Sequence, residues 1–115
     1  MNKLKNREIP FATLQDINKR IQGRHIVLFG AGNIAKKTAR ILEGKKIKAI
    51  VDNSTNLWGK KELNLRIESP KYLLTKEGSD SFVLICTTSF TDVAQQLEEY
   101  GLKAEKNYYV SPILN

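Results

Sequence analysis

The feature that most constrains this chain is a single junction. The apolar run His25-Ile-Val-Leu-Phe29 is followed at once by Gly30-Ala-Gly32, and a helical pattern starts directly behind it at Ile34. A short, uninterrupted run of β-formers suits a strand buried on both faces, as in a parallel sheet covered by helices. Ile34, Ala35, Ala39, Ile41 and Leu42 supply one apolar face of a helix from about Ile34 to Glu43, which Gly44 closes. Strand, glycine turn and helix in immediate succession leave few folds open, and the rest of the chain repeats the alternation.

Ile47-Lys-Ala-Ile-Val51 predicts a second strand, and Leu63, Leu65 and Ile67, alternating with polar residues, a short third one. Asp52 to Lys61 between them reads as a loop, with Gly59 as its turn residue. Ser69-Pro70 reads as an N-cap and first helical position, opening a helix over Lys71–Lys76 that ends before Gly78. Phe82-Val-Leu-Ile-Cys86 predicts a fourth strand. A helix carrying Val93, Leu97 and Tyr100 comes next, capped by Ser89 or Thr91 and ended by Gly101, and Asn107 to Val110 predicts a fifth strand. Ahead of the first strand, Phe11, Leu14, Ile17 and Ile21 recur at helical spacing, with Gly23 past the end. Such a helix packs on a sheet face or offers an apolar face to a second copy.

With right-handed crossovers, these elements make a single Rossmann-like α/β domain. The expected sheet is mostly parallel and five-stranded in the order 3-2-1-4-5, with helices on both faces and an extra N-terminal helix. The expected organisation is a basic segment and helix over residues 1–23, then the Rossmann-like domain over 24–115.

Size and composition agree. The chain has 115 residues, 41% hydrophobic and 27% charged, enough for one core and too little for separate cofactor and substrate domains. No apolar run approaches the roughly 20 residues of a membrane helix, and the basic N-terminus leads into no apolar signal region. Cys86 is the one cysteine, which excludes an internal disulfide framework and fits a reducing, cytoplasmic setting. The formal net charge of +7 favours anionic partners. Its basic residues are spread over Lys3–Arg7, Lys19–Arg24, Lys36–Arg40, Lys45–Lys48 and Lys60–Lys61, and no run is a dense nucleic-acid arm. With no helix-turn-helix or stacking platform either, nucleic acid is disfavoured as a partner.

Gly30-Ala31-Gly32-Asn33-Ile34-Ala35 reads G-x-G-x-x-A, placed after a strand and opening a helix. There Gly30 makes the tight turn, Gly32 lets backbone approach a pyrophosphate, and Ala35 lets helix pack close to strand. Unbonded N–H groups and the positive dipole end favour an anion at this helix start. Asp52 follows Gly30 by 22 residues, where an acid accepts hydrogen bonds from a ribose hydroxyl; it could instead cap its own loop through Asn53. Thr87 and Thr88, behind the fourth strand, either line the same crevice or cap the next helix. The expected nucleotide site is thus Gly30, Ala31, Gly32, Asn33, Ile34, Asp52, Asn53, Thr87 and Thr88, with no catalytic residue nominated.

The stretches His25–Ala35, Ile50–Asn53, Gly59, Ile67 with Ser69-Pro70, and Phe82–Cys86 together resemble a known type of domain. They are similar to the Rossmann-like nucleotide-binding domains of bacterial surface-polysaccharide biosynthesis proteins. Those are attached to nucleotide-sugar dehydratases and epimerases, sugar acyltransferases and some methyltransferases. The resemblance covers about residues 24–110. It implies a phosphate loop at Gly30, Gly32 and Asn33, a ribose contact at Asp52, and NAD or a nucleotide sugar as ligand. The expected partners besides the nucleotide are a second copy of the chain, met through the apolar face of the first helix, or a catalytic chain that completes the site. The competing reading is a non-catalytic regulatory or interaction domain with a vestigial glycine loop, engaging an acidic partner or nucleic acid.

Other candidates read as structural. Tyr72 and Lys76 have the Y-x-x-x-K spacing of short-chain dehydrogenases, but on a short helix among apolar neighbours. Cys86 reads as a small buried hydrophobe. His25 starts a strand at the end away from the crevice, and one His with one Cys makes no metal set. Trp58 either stacks on a base or covers the domain edge.

Overall fold

The computed structural model describes residues 9–115; the basic stretch Lys3–Arg7 lies outside the described residues. Six strands form one sheet: β1 (Ile26–Phe29), β2 (Ile47–Val51), β3 (Lys61–Glu62), β4 (Leu65–Glu68), β5 (Phe82–Ile85) and β6 (Tyr108–Val110). Their order is β3-β4-β2-β1-β5-β6. β1 pairs in parallel with β2 and β5, β2 with β4, and β5 with β6; only β3 is antiparallel, against β4. The expectation of five strands in the order 3-2-1-4-5 is therefore corrected to six, the extra one being a two-residue strand at the edge. It exists because Leu63 and Asn64 take φ of 57° and 61° and turn the chain back in a tight hairpin. Leu63 thus stands in the turn, and the strand it was expected to open begins at Leu65.

The alternation of side chains sorts the core into two layers. Ile26 and Leu28 of β1 face one side with Ile50, Phe82, Leu84 and Tyr109, and this layer is covered by helices α1 (Leu14–Ile21) and α2 (Asn33–Ile41) through Ile17, Ala35 and Leu42. Val27 and Phe29 face the other side with Val51, Val83, Ile85 and Tyr108, under Val93, Ala94 and Leu97 of α3 (Phe90–Glu99). Each large apolar side chain buried this way contributes about 1.5–3 kcal/mol. Helices on both faces of a mostly parallel sheet is the expected arrangement.

Two local expectations are corrected. Ser69 does cap, its hydroxyl accepting from the Lys71 N–H at 3.2 Å, but it opens a 3-10 turn over Pro70–Leu74 and not a helix reaching Lys76. The N-terminal helix starts at Leu14, not Phe11. Thr13 and Asp16 form a reciprocal capping box, and the two Thr13 hydrogen bonds, backbone first, hold the Asp16 carboxyl below its ordinary value. The residues before it are extended along the outer edge of β6: Val110 N–H donates to Pro10 O and Ala12 N–H to Val110 O, each at 2.8 Å. The sheet edge is thereby covered, and α1 seats fully buried Ile17 on the sheet, leaving Leu14 exposed.

A small polar network ties α2 to the chain beyond β6. The buried hydroxyls of Thr38 and Ser111 lie 2.6 Å apart, Thr38 donates to Ile34 O at 2.7 Å, and the Cys86 thiol lies 3.5 Å from the Thr38 hydroxyl. Thr38→Val is expected to cost about 1–3 kcal/mol, because the Ser111 hydroxyl loses its buried partner. Urea denaturation reads this as a lower midpoint at unchanged slope; Thr38→Ser, which keeps the hydroxyl, recovers part of the loss.

Candidate functional site

The strand order reverses at β1, between β2 and β5, and in open α/β sheets ligands bind beside the carboxyl ends of the strands at such a point. Three chain segments leave the sheet there. Gly30 follows β1, Asp52 follows β2, and Cys86 follows β5. Together with Ala31, Gly32, Asn33, Ile34, Thr87 and Thr88 they line an open cleft of about 240 Å³.

The two glycines act differently. Gly30 has φ +117°, and a Cβ there would sit 2.9 Å from the Cys86 carbonyl oxygen. The turn is therefore wedged against the start of the β5–α3 loop, and only glycine fits. Gly32 has φ +151°, and a Cβ on it would meet nothing within 4 Å. Its missing side chain leaves open space over the start of α2.

That helix start is uncapped. Gly32 supplies no side-chain acceptor, and the first turn holds no acid. The first backbone bond of the ladder runs from Lys36 N–H to Gly32 O at 3.1 Å, so the N–H groups of Asn33, Ile34 and Ala35 precede it. Donors of this kind, at the positive end of a helix dipole and facing a cleft, suit an anion.

Asp52 closes the opposite side. One carboxylate oxygen accepts from the Ala31 N–H and the other from the Ser54 N–H, each at 2.8 Å. The acid thus fastens the glycine loop to the end of β2 while capping its own turn. A carboxylate has about four acceptor positions, so two remain for hydroxyl donors. The loop behind it is held by Trp58, whose indole N–H donates to the Asp52 carbonyl at 2.7 Å.

Eight of the nine expected site residues meet in the cleft. Asn53 does not line it. Its side-chain amide forms a reciprocal pair with Gln96 on α3, at 2.9 and 3.0 Å, and so anchors the β2 loop to the far-side helix. Gln96 escapes sequence reasoning because it lies 43 positions from Asn53 with no local pattern joining them. Thr87 both lines the cleft and accepts from the Ser89 N–H at 3.3 Å.

Cys86 belongs to the cleft wall as structure. The thiol is buried, and desolvation pushes its pKa up to about 12 against a weaker opposing contribution of its contact with the Thr38 hydroxyl. At pH 8 its thiolate fraction is about a thousandfold below that of an ordinary thiol. A disulfide reagent at pH 8 is therefore expected to label the folded protein slowly and the urea-unfolded protein at once; equal rates would show that the thiol is accessible and ionised. Tyr72 packs against the opposite core layer from α2, and burial followed by Glu77 and Glu68 raises its phenol, the reverse of what a catalytic tyrosine needs. His25 offers its carbonyl to the Phe82 N–H at 2.8 Å, at the other end of the sheet. No helix among the described residues is long and apolar enough to cross a membrane.

The fold is shared with solved structures of low sequence identity. UDP-D-quinovosamine 4-dehydrogenase from Vibrio fischeri aligns at TM-score 0.56 and 21% identity over 76% of each chain. RSP, a Rex-family repressor, aligns at TM-score 0.53 and 19% identity over 85% of this chain and 58% of that one. RSP in complex with β-NAD+ and operator DNA aligns at TM-score 0.53 and 18% identity over 76% of this chain and 49% of that one. This chain thus spans about half the length of the repressor. No curated protein sequence matches the chain. The C2185-like, N-terminal family model matches residues 22–107, most of the chain, and the chain belongs to that family.

Proposed function

We propose that this chain is a nucleotide-binding module. It would hold the diphosphate of NAD or a nucleotide sugar on the Gly30–Ile34 loop and a ribose on Asp52, with Thr87 and Thr88 on the facing wall. The observation that carries this reading is the conjunction at the start of α2: the N–H groups of Asn33, Ile34 and Ala35 ahead of the helical ladder, an empty Cβ position at Gly32 and a carboxylate opposite, around one cleft. At about 240 Å³ the cleft is below the roughly 300 Å³ at which drug-sized pockets begin. It suits a ribose–phosphate segment, with the remainder of the ligand on the surface or against a second subunit. The crystallised complexes of RSP with β-NAD+ and β-NADH support NAD within the ligand set. Service in surface-glycan synthesis rests on the resemblance of its motifs, a cytoplasmic setting on the lone cysteine, and a homodimer on the apolar face of the first helix.

The regulatory reading is favoured by one specific observation. Of the cleft's ionisable groups among the described residues, Asp52 is fastened to two backbone N–H groups and the Cys86 thiol is buried, with its pKa raised. Binding without chemistry in this chain is consistent with that. The crystallised complex of RSP with operator DNA also keeps nucleic acid among the partners of this reading.

A thermal-shift panel of NAD, NADH, NADP, UDP-sugars, ATP and coenzyme A tests the reading. A ligand at about 100 times its dissociation constant adds about 2.7 kcal/mol, a shift of several degrees in a domain of this size. The expected result is a shift with one nucleotide class that is lost in Gly32→Val. No shift with any of them, at millimolar ligand, sinks the proposal and leaves the loop a structural turn.

A further inference from the structure

At the end of the sheet opposite the glycine loop, four cations from three separate elements surround one concavity of about 210 Å³. Lys19 and Arg20 come from the last turn of α1, Arg24 from the link into β1, and Lys106 from the turn before β6; Gln22 completes the wall, and no acid among the described residues lines it. Cations at a helix C-terminus complement its dipole, which accounts for Lys19 and Arg20. It does not account for Arg24 and Lys106, which lie on other elements and bring further positive charge against the first two.

Arg24 is built into place. Its guanidinium donates to the carbonyls of Lys106 at 2.8 Å, Ser81 at 3.1 Å and Asp80 at 3.4 Å, and lies 5.6 Å over the Phe82 ring. All three acceptors are neutral backbone oxygens, so the positive charge is fixed without being neutralised. A guanidinium has five N–H donors, so two stay available. A fixed guanidinium ringed by ammonium and guanidinium groups on long, flexible stems is the arrangement that takes a multiply charged oxyanion through charge-assisted hydrogen bonds.

We propose that Arg24, Lys19, Arg20 and Lys106 form a second anion site, for a compact polyphosphate chain such as the tail of a phosphorylated small molecule. It is separate from the glycine loop and independent of what that loop binds. The volume and the concave shape fit such a group better than an extended polymer.

The test uses tripolyphosphate on the full chain at physiological salt, followed by backbone amide NMR shifts, with sulfate at equal ionic strength as the non-specific reference. Shifts are expected at residues 19–24 and 106. They should be stronger than with sulfate, and roughly tenfold or more weaker in affinity in the triple variant Lys19→Gln, Arg20→Gln, Lys106→Gln. That variant leaves Arg24 and its packing intact, and an unchanged spectrum elsewhere verifies the fold. Shifts confined to residues 30–35, or equal responses to sulfate and tripolyphosphate, overturn the proposal. So does tight duplex DNA binding that the triple variant abolishes while tripolyphosphate remains inert, which would reassign this face to a nucleic-acid backbone.

Discussion

Gly30→Ala is expected to lower the thermal midpoint by more than about 10 °C. Two costs add. The backbone at φ +117° disfavours any side chain, at about 1–3 kcal/mol. The new Cβ also lies 2.9 Å from the Cys86 carbonyl oxygen, a clash with backbone that rotamer changes do not relieve; overpacking of this kind costs about 1–3 kcal/mol. In a domain of this size each kcal/mol moves the midpoint by about 4 °C. Gly32→Ala is the internal control. It shares the strained backbone but its Cβ enters open space, so the stability loss should be that of the strain alone, about 1–3 kcal/mol, while nucleotide affinity falls. Calorimetric scans of both variants decide the matter: equal destabilisation would mean that backbone strain alone, and not contact with the β5–α3 loop, makes Gly30 irreplaceable.

That difference between the glycines marks the limit of what a sequence shows. The strands at Ile26–Phe29 and Phe82–Ile85 were legible because every one of their residues is buried, and continuous apolar runs bounded by glycine or polar turns leave no competing period. The junction at Gly30–Ile34 was legible for the same reason, as was the placement of Asp52 at the end of the next strand. The β3–β4 hairpin was hidden because its turn uses Leu63-Asn64, with a bulky residue at a position where Asn or Gly is the usual signal, and its outer strand spans only Lys61–Glu62. Phe11 reads as part of the helix because it falls in register with Leu14, although the extended segment around it belongs to the edge of β6. Asn53 read as a ligand contact from its place beside Asp52. Only the distant Gln96 turns it into a strut between the two sides of the sheet, and no local rule reports a pairing of that separation. What escapes, in each case, is a contact fixed by tertiary packing and not by a neighbour in the chain.

Asp52→Ala is expected to weaken nucleotide binding by roughly 10- to 150-fold for each ribose hydroxyl that uses one of the two acceptor positions the backbone leaves unused, since hydrogen bonds to a charged group are worth about 1.5–3 kcal/mol each. The same substitution unfastens Ala31 from the end of β2, because both carboxylate bonds, to Ala31 and Ser54, are lost together. Asp52→Asn separates the two effects. Its amide oxygen still accepts one of the two backbone N–H groups while its NH2 faces the other, so part of the stability should return, while the charge that strengthens ribose bonding does not. The charge also sets a preference: a carboxylate beside the ribose repels a 2′-phosphate, so the wild-type protein should favour NAD over NADP, and Asp52→Asn should narrow that ratio. Titration calorimetry with both dinucleotides across the three proteins gives the answer. Affinities that fall only as far as stability falls would assign Asp52 to the scaffold alone; a ratio that moves toward NADP in Asp52→Asn places its carboxylate on the ribose.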